Sequence, residues 1–131
     1  MTWGRALELL VLFLLAYGLW QNRRYRGAWV LGLGFLANSV AILAYGGQMP
    51  VTEAALKAAG LERAIPLLKE RGDGLHVLAQ PGNPTNLFGD TIPLALTHQI
   101  LSLGDLLIIA GTAWLVVELG LTARRKMGAV R

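Results

Sequence analysis

Three apolar runs, residues 3–20, 27–45 and 103–121, divide the chain, and the charged residues collect between and beyond them. A helix of about 20 residues spans the roughly 30 Å hydrocarbon layer of a bilayer. Each run is therefore predicted to be a transmembrane helix. Trp3, Trp20, Trp29 and Tyr45 stand near the ends of the runs, where interfacial aromatics gather. The first run contains Glu8 and leads straight into the charged stretch QNRRYR. It is longer than the apolar core of a signal peptide and has no small-residue cleavage site, so it is expected to be a retained span.

The stretch between the second and third runs, residues 46–102, is too long for a bare loop in a compact protein. VTEAALKAAG predicts a short helix with Thr52 as N-cap and Gly60 as its stop. PLLKERG predicts a further turn, opened by Pro66 and closed by Gly72. Leu56, Ala59 and Leu61 alternate with Glu53, Lys57 and Glu62, so these helices are expected on the membrane surface or against the spans. Residues 72–93 are rich in turn signals and are expected to form an irregular ordered loop. Ser102-Leu-Gly-Asp105 fits a capping box and places the start of the third span. The expected fold is all-α: one integral membrane domain with spans at 3–20, 27–45 and 103–121, an outer cap at 46–102 and a basic tail at 122–131.

Composition and charge add an orientation. The chain is 54% hydrophobic and 15% charged, against about 25% charged residues in a soluble domain. The link between the first two runs holds Arg23, Arg24 and Arg26, and the tail holds Arg124, Arg125, Lys126 and Arg131, with no acid in either. Residues 46–102 mix four basic and five acidic residues. By the positive-inside rule the link and the tail face the cytoplasm, with the N-terminus and the cap outside. Arg5 alone opposes this. The net charge of +4 is explained by topology; no basic face with interleaved aromatics points to nucleic acid. With no cysteine, disulfides, thiolate metal sites and cysteine nucleophiles are excluded. No nucleotide loop, zinc-protease helix, serine elbow or kinase signature occurs.

A few polar residues could carry chemistry. Glu8 and Glu118 lie inside apolar runs, where ionisable residues are often functional; alternatively Glu8 pairs with Arg5, and Glu118 snorkels towards Arg124 and Arg125. Asn38 sits mid-run, and with Gly34, Ala37 and Ala41 it forms a small face at helical spacing. It serves there as structural glue or as a ligand contact. His76 and His98 lie outside the runs and lack further ligands at metal spacing, so no metal or haem is expected. Asp90 and Asp105 each follow a glycine near the outer mouth. They either converge on a cation or acid–base site, or hold a turn and cap a helix.

One ordered set of motifs resembles a known family. Gly46-Gly47-Gln48-Met49-Pro50-Val51, Ala59-Gly60, His76, Gly89-Asp90-Thr91-Ile92-Pro93 and Ser102-Leu103-Gly104-Asp105 follow one another over roughly residues 10–121. The order is similar to that in an uncharacterised family of small bacterial integral membrane proteins. Tyr45 stands where that family usually has asparagine, and the chain resembles a shortened member lacking additional N-terminal spans; if those spans complete a site, a partner supplies them or the site is absent. The resemblance supports the topology and implies no activity.

The expected function is that of a non-enzymatic subunit or accessory component of a membrane complex, with lipid and a membrane-protein partner or a second copy as its contacts and no cofactor. The alternative is an outer-leaflet site for a lipid, isoprenoid or cation, built from Asn38, Gln48, His76, Asp90 and Asp105, with Ser102 as structural cap. A small oligomeric transporter is the weaker third. The membrane expected is the bacterial cytoplasmic membrane.

Overall fold

The computed structural model describes residues 3–129; the side chains of residues 3–9 and 12, including those of Trp3, Arg5 and Glu8, lie outside the description. The chain forms two compact units, one of residues 1–32 with 109–131 and one of residues 33–108.

The first unit holds α1 (Trp3–Gln21), the start of α2 (Arg26–Ala44) and most of α5 (Leu103–Gly128). α1 ends where Asn22 turns back, its side-chain amide donating to the Gly18 carbonyl at 2.8 Å. Basic and aromatic side chains then interlock. The Arg23 guanidinium stacks 4.5 Å above the Trp20 ring, Arg24 lies 4.8 Å over Tyr25, and the Trp29 indole N–H donates to the Arg23 carbonyl at 2.8 Å. Within this unit α2 and α5 meet through glycine. A Cβ on Gly27 would strike the backbone of Leu115, and one on Gly111 the backbone of Leu31. Such small-residue contacts let helices gain dispersion and hydrogen-bond energy where no hydrophobic effect drives them together.

Glu118 has a role that the sequence did not suggest. Its carboxylate reaches the start of α2, where Oε1 accepts from the Arg26 N–H (3.1 Å) and Oε2 from the Gly27 N–H (2.9 Å). It satisfies two of the four N–H groups that a helix start leaves open, and its charge meets the positive end of the dipole.

α2 and α5 are each long and apolar enough to cross a membrane. Only 28% of the apolar window of α2 and 6% of that of α5 is buried. A soluble core helix would show the reverse, so these two helices point to a membrane protein. α5 also runs to Gly128, beyond the expected end at 121, because ARRKM continues with good helix formers.

The second unit corrects the all-α expectation. Residues 46–102 contain a four-stranded mixed sheet, with β1 (Met49–Val51), β2 (His76–Leu78), β3 (Asp90–Leu94) and β4 (Gln99–Ser102) in the order β2-β1-β3-β4. β1 is parallel to β2 and β3, while β3 and β4 form an antiparallel hairpin. Parallel neighbours need a crossover, and α3 (Glu53–Ala58) and α4 (Ile65–Glu70) supply it between β1 and β2. α3 and α4 occupy the two stretches expected to be helical. Thr52 Oγ1 accepts from the Ala55 N–H, and Gly60 and Gly72 follow α3 and α4 at φ 74° and 73°. The sheet escaped notice because its strands have three to five residues, too few to display alternation. Pro50 and Pro93 lie within two of them, a signal that ordinarily argues against an inner strand. Residues 72–93, expected to be irregular throughout, contain all of β2 and the start of β3. Val51, Leu56 and Leu68 form the core of this cap, with Leu61, Ile65, Leu78 and Ile100 against them.

Replacing Glu118 with Ala should lower stability by about 1 kcal/mol, the usual cost of losing an N-cap, while Glu118→Gln should retain part of it. Replacing Gly111 with Ala should cost about 1–3 kcal/mol through overpacking. Thermal melts followed by circular dichroism in mild detergent check both; unchanged melting of Gly111→Ala would contradict the described contact.

Candidate functional site

β4 passes into α5 without a linker, and three side chains hold that junction. Ser102 Oγ accepts from the Asp105 N–H (2.9 Å) and Asp105 Oδ2 accepts from the Ser102 N–H (3.0 Å), the reciprocal contacts that the S-L-G-D spacing predicts. Asn38 closes the ring from α2. Its amide donates to Asp105 Oδ1 at 2.8 Å, and its carbonyl accepts from the Ser102 hydroxyl at 2.7 Å. Ser102 has no exposed surface. Gly104 has to be glycine, since a Cβ there would land on the Asn38 side chain. Ala37 and Ala41, on the same small face, are buried, and Gly34 abuts Gly104 and Ile108.

The ring locates Asp90. In the β3–β4 hairpin Asp90 pairs with Ser102, and its carbonyl accepts from the Thr52 N–H at 3.2 Å. The residue is 7% exposed. Among the described residues no donor comes within hydrogen-bond distance of its carboxylate; the approach recorded is that of His76 Nε2, at 3.9 Å. Burial, helped by the nearby Asp105 charge and opposed by His76, pushes the Asp90 carboxyl up to about 6.

His76 is held from its other side. Asp73 Oδ1 accepts from the backbone N–H groups of Leu75 (2.9 Å) and His76 (2.6 Å), and Asp73 Oδ2 lies 3.1 Å from His76 Nδ1. Those backbone N–H bonds, His76 before Leu75, hold the Asp73 carboxyl below its ordinary range. A carboxylate there accepts a hydrogen bond from Nδ1–H, which favours the tautomer that leaves Nε2 facing Asp90.

Asp73, His76, Asp90 and Gln99 are the polar lining of a cleft of about 510 Å³ whose walls include Val51, Leu56, Leu61, Leu68 and Ile100. That volume is within the ordinary range for small-molecule sites. Among the described residues no lysine or arginine lines it. An apolar body would lie against the leucines while its head met two carboxyls and an imidazole.

Of the residues considered from sequence, the structure brings His76 and Asp90 together in this cleft. Asn38 and Asp105 engage each other and Ser102. Gln48 packs against Gly72 and does not line the cleft. His98, at φ 50°, bonds the Ala59 carbonyl through Nδ1 at 2.8 Å. No group of three or more histidine or acidic side chains placed to hold a metal occurs among the described residues. Asp73 was missed. The signal was local: an aspartate three residues before the histidine, with a glycine between, in D-G-L-H.

Fold and site thus define a protein with two apolar helices able to cross a membrane and a small α/β cap carrying a cleft. The chain belongs to a family of unknown function, DUF5317, whose sequence pattern matches residues 1–117. No curated protein and no solved structure matches it.

The raised Asp90 pKa has a definite sign. The folded state favours the protonated acid, so stability should fall as pH rises from 3.8 through about 6. Asp90→Asn removes that titration. At pH 8 it should melt higher than the wild type, and the gap should close by pH 4. Melting curves across that range check this; a variant less stable at pH 8 than at pH 4, relative to wild type, would contradict it.

Proposed function

We propose that the chain is a non-enzymatic integral membrane protein with α1, α2 and α5 as three spans, and that its outer cap is a binding module for an amphiphile. One observation carries the binding reading: the Asp90 side chain, 10% exposed and with no donor in hydrogen-bond distance among the described residues, opens onto a cleft whose walls are mainly apolar. Partial burial without a donor disfavours the charged carboxylate, and a ligand in the cleft would supply the donor. The Asp73–His76 pair could orient a base, but among the described residues no serine, threonine or lysine lines the cleft to act as nucleophile. That favours binding over covalent catalysis.

The orientation proposed places the Arg23–Arg26 link and the basic end of α5 in the cytoplasm, with the cap outside. Arginines stacked on Trp20 and Tyr25 suit the headgroup layer, and outward leucines such as Leu43, 78% exposed, suit lipid. A role as subunit of a larger assembly draws on another observation. Leu75, Leu87 and Leu96 stand exposed on the cap, where a partner would cover them. The small face of α2 is used within the chain and is not the surface for that partner.

Because the chain has no cysteine, single-cysteine variants report topology directly. Gln80→Cys in the cap should react with an impermeant thiol reagent on intact cells, and Ala123→Cys only after lysis. The reverse pattern would overturn the orientation. A photoreactive long-chain alcohol should crosslink to cleft residues such as Leu61 and Leu101; crosslinks confined to α1, α2 and α5 would remove the binding reading.

A further inference from the structure

The chemistry of the cleft specifies its ligand more closely than "amphiphile". Its apolar wall asks for a hydrocarbon body. Its polar lining is the Asp90 carboxylate, which has no donor in hydrogen-bond distance among the described residues, Asp73 behind His76, and the neutral amide residue Gln99. Among the described residues no lysine or arginine lines the cleft to neutralise the two carboxylates. A carboxylate or phosphate head would meet like charge. A hydroxyl head would supply one neutral donor. An ammonium head would supply three donors and the missing positive charge.

We propose that the cleft binds an amphiphile with an ammonium head, the ammonium donating to the Asp90 carboxylate and the hydrocarbon lying against Leu56, Leu61 and Leu68. This rests on the binding reading above. A bare metal ion would not need the apolar wall, and the described residues place no metal-ligand cluster there. Charge-assisted hydrogen bonds of this kind are about twice as strong as neutral ones, and low local dielectric strengthens them further.

Proton linkage follows. The charged groups facing Asp90 are His76 from β2 and Asp105 from α5. The ammonium prefers the ionised carboxylate, so binding should release a proton near and below pH 6. At pH 5 roughly one tenth of Asp90 is ionised, and the apparent affinity should fall about tenfold from its value at pH 8.

The test uses the full chain in lipid nanodiscs and three probes of equal length: octylamine, 1-octanol and octanoate. Titration calorimetry at pH 8 should show octylamine binding at least tenfold tighter than 1-octanol, and octanoate weakest. Lowering the pH to 5 should weaken octylamine about tenfold and leave 1-octanol unchanged. Asp90→Asn should lose the amine preference, octylamine and 1-octanol then binding alike, while its circular dichroism spectrum and cooperative melt report an intact fold. Equal binding of octylamine and 1-octanol, or tighter binding of octanoate, would overturn the ammonium assignment while leaving the binding reading in place. No binding by any of the three would overturn both. The source of the ammonium is separated by repeating the octylamine titration in nanodiscs with and without an amine-headed lipid. Competition by that lipid assigns the site to membrane lipid, and its absence to a free amine.

Discussion

Four hydrogen bonds among Asn38, Ser102 and Asp105 fix the junction where the cap meets α5. A primary amide in the middle of an apolar helix needs partners, and here it finds both a carboxylate and a hydroxyl. Ser102 is thereby committed, and Ser102 is the cross-strand neighbour of Asp90. The position of the cleft carboxylate therefore depends on an asparagine two elements away. Gly104 and Gly34 are the geometric conditions for this, since side chains there would hold the helices apart.

Acids in and beside the apolar helices follow one physical rule with one exception. Glu118 meets the open N–H groups of α2, Asp105 meets the Ser102 N–H beside the start of α5, and Asp73 meets two N–H groups of its own turn. Backbone N–H groups stabilise a carboxylate without importing a second charge. Of these four acids Asp90 has no such partner among the described residues, and its carboxylate meets the cleft instead.

Much of this was legible in the chain. The apolar runs gave α1, α2 and the start of α5; Thr52, Gly60 and Gly72 marked the short helices; Ser102 and Asp105 announced their own capping box. His76 and Asp90 were both noticed, but as members of separate stretches. Their meeting depends on the parallel pairing of β1 with both β2 and β3, and three-residue strands containing proline leave no periodic trace. Glu118 could not be assigned to the start of α2 because its partners are backbone groups 91 and 92 positions away. Asp73 was readable in principle, since its contacts are local. The family carries no known activity, so the chemistry of the cleft has to speak for itself.

The environment of Asp90 depends on burial and on the ring that seats its neighbour Ser102. A carbon-13 NMR titration of the Asp90 carboxyl in the full chain, compared between wild type and Asn38→Ala, tests both together. The expected midpoint is about 6 in the wild type, moving towards the ordinary aspartate value near 4 when the ring is opened. A wild-type midpoint already near 4, or one that Asn38→Ala leaves in place, would contradict it.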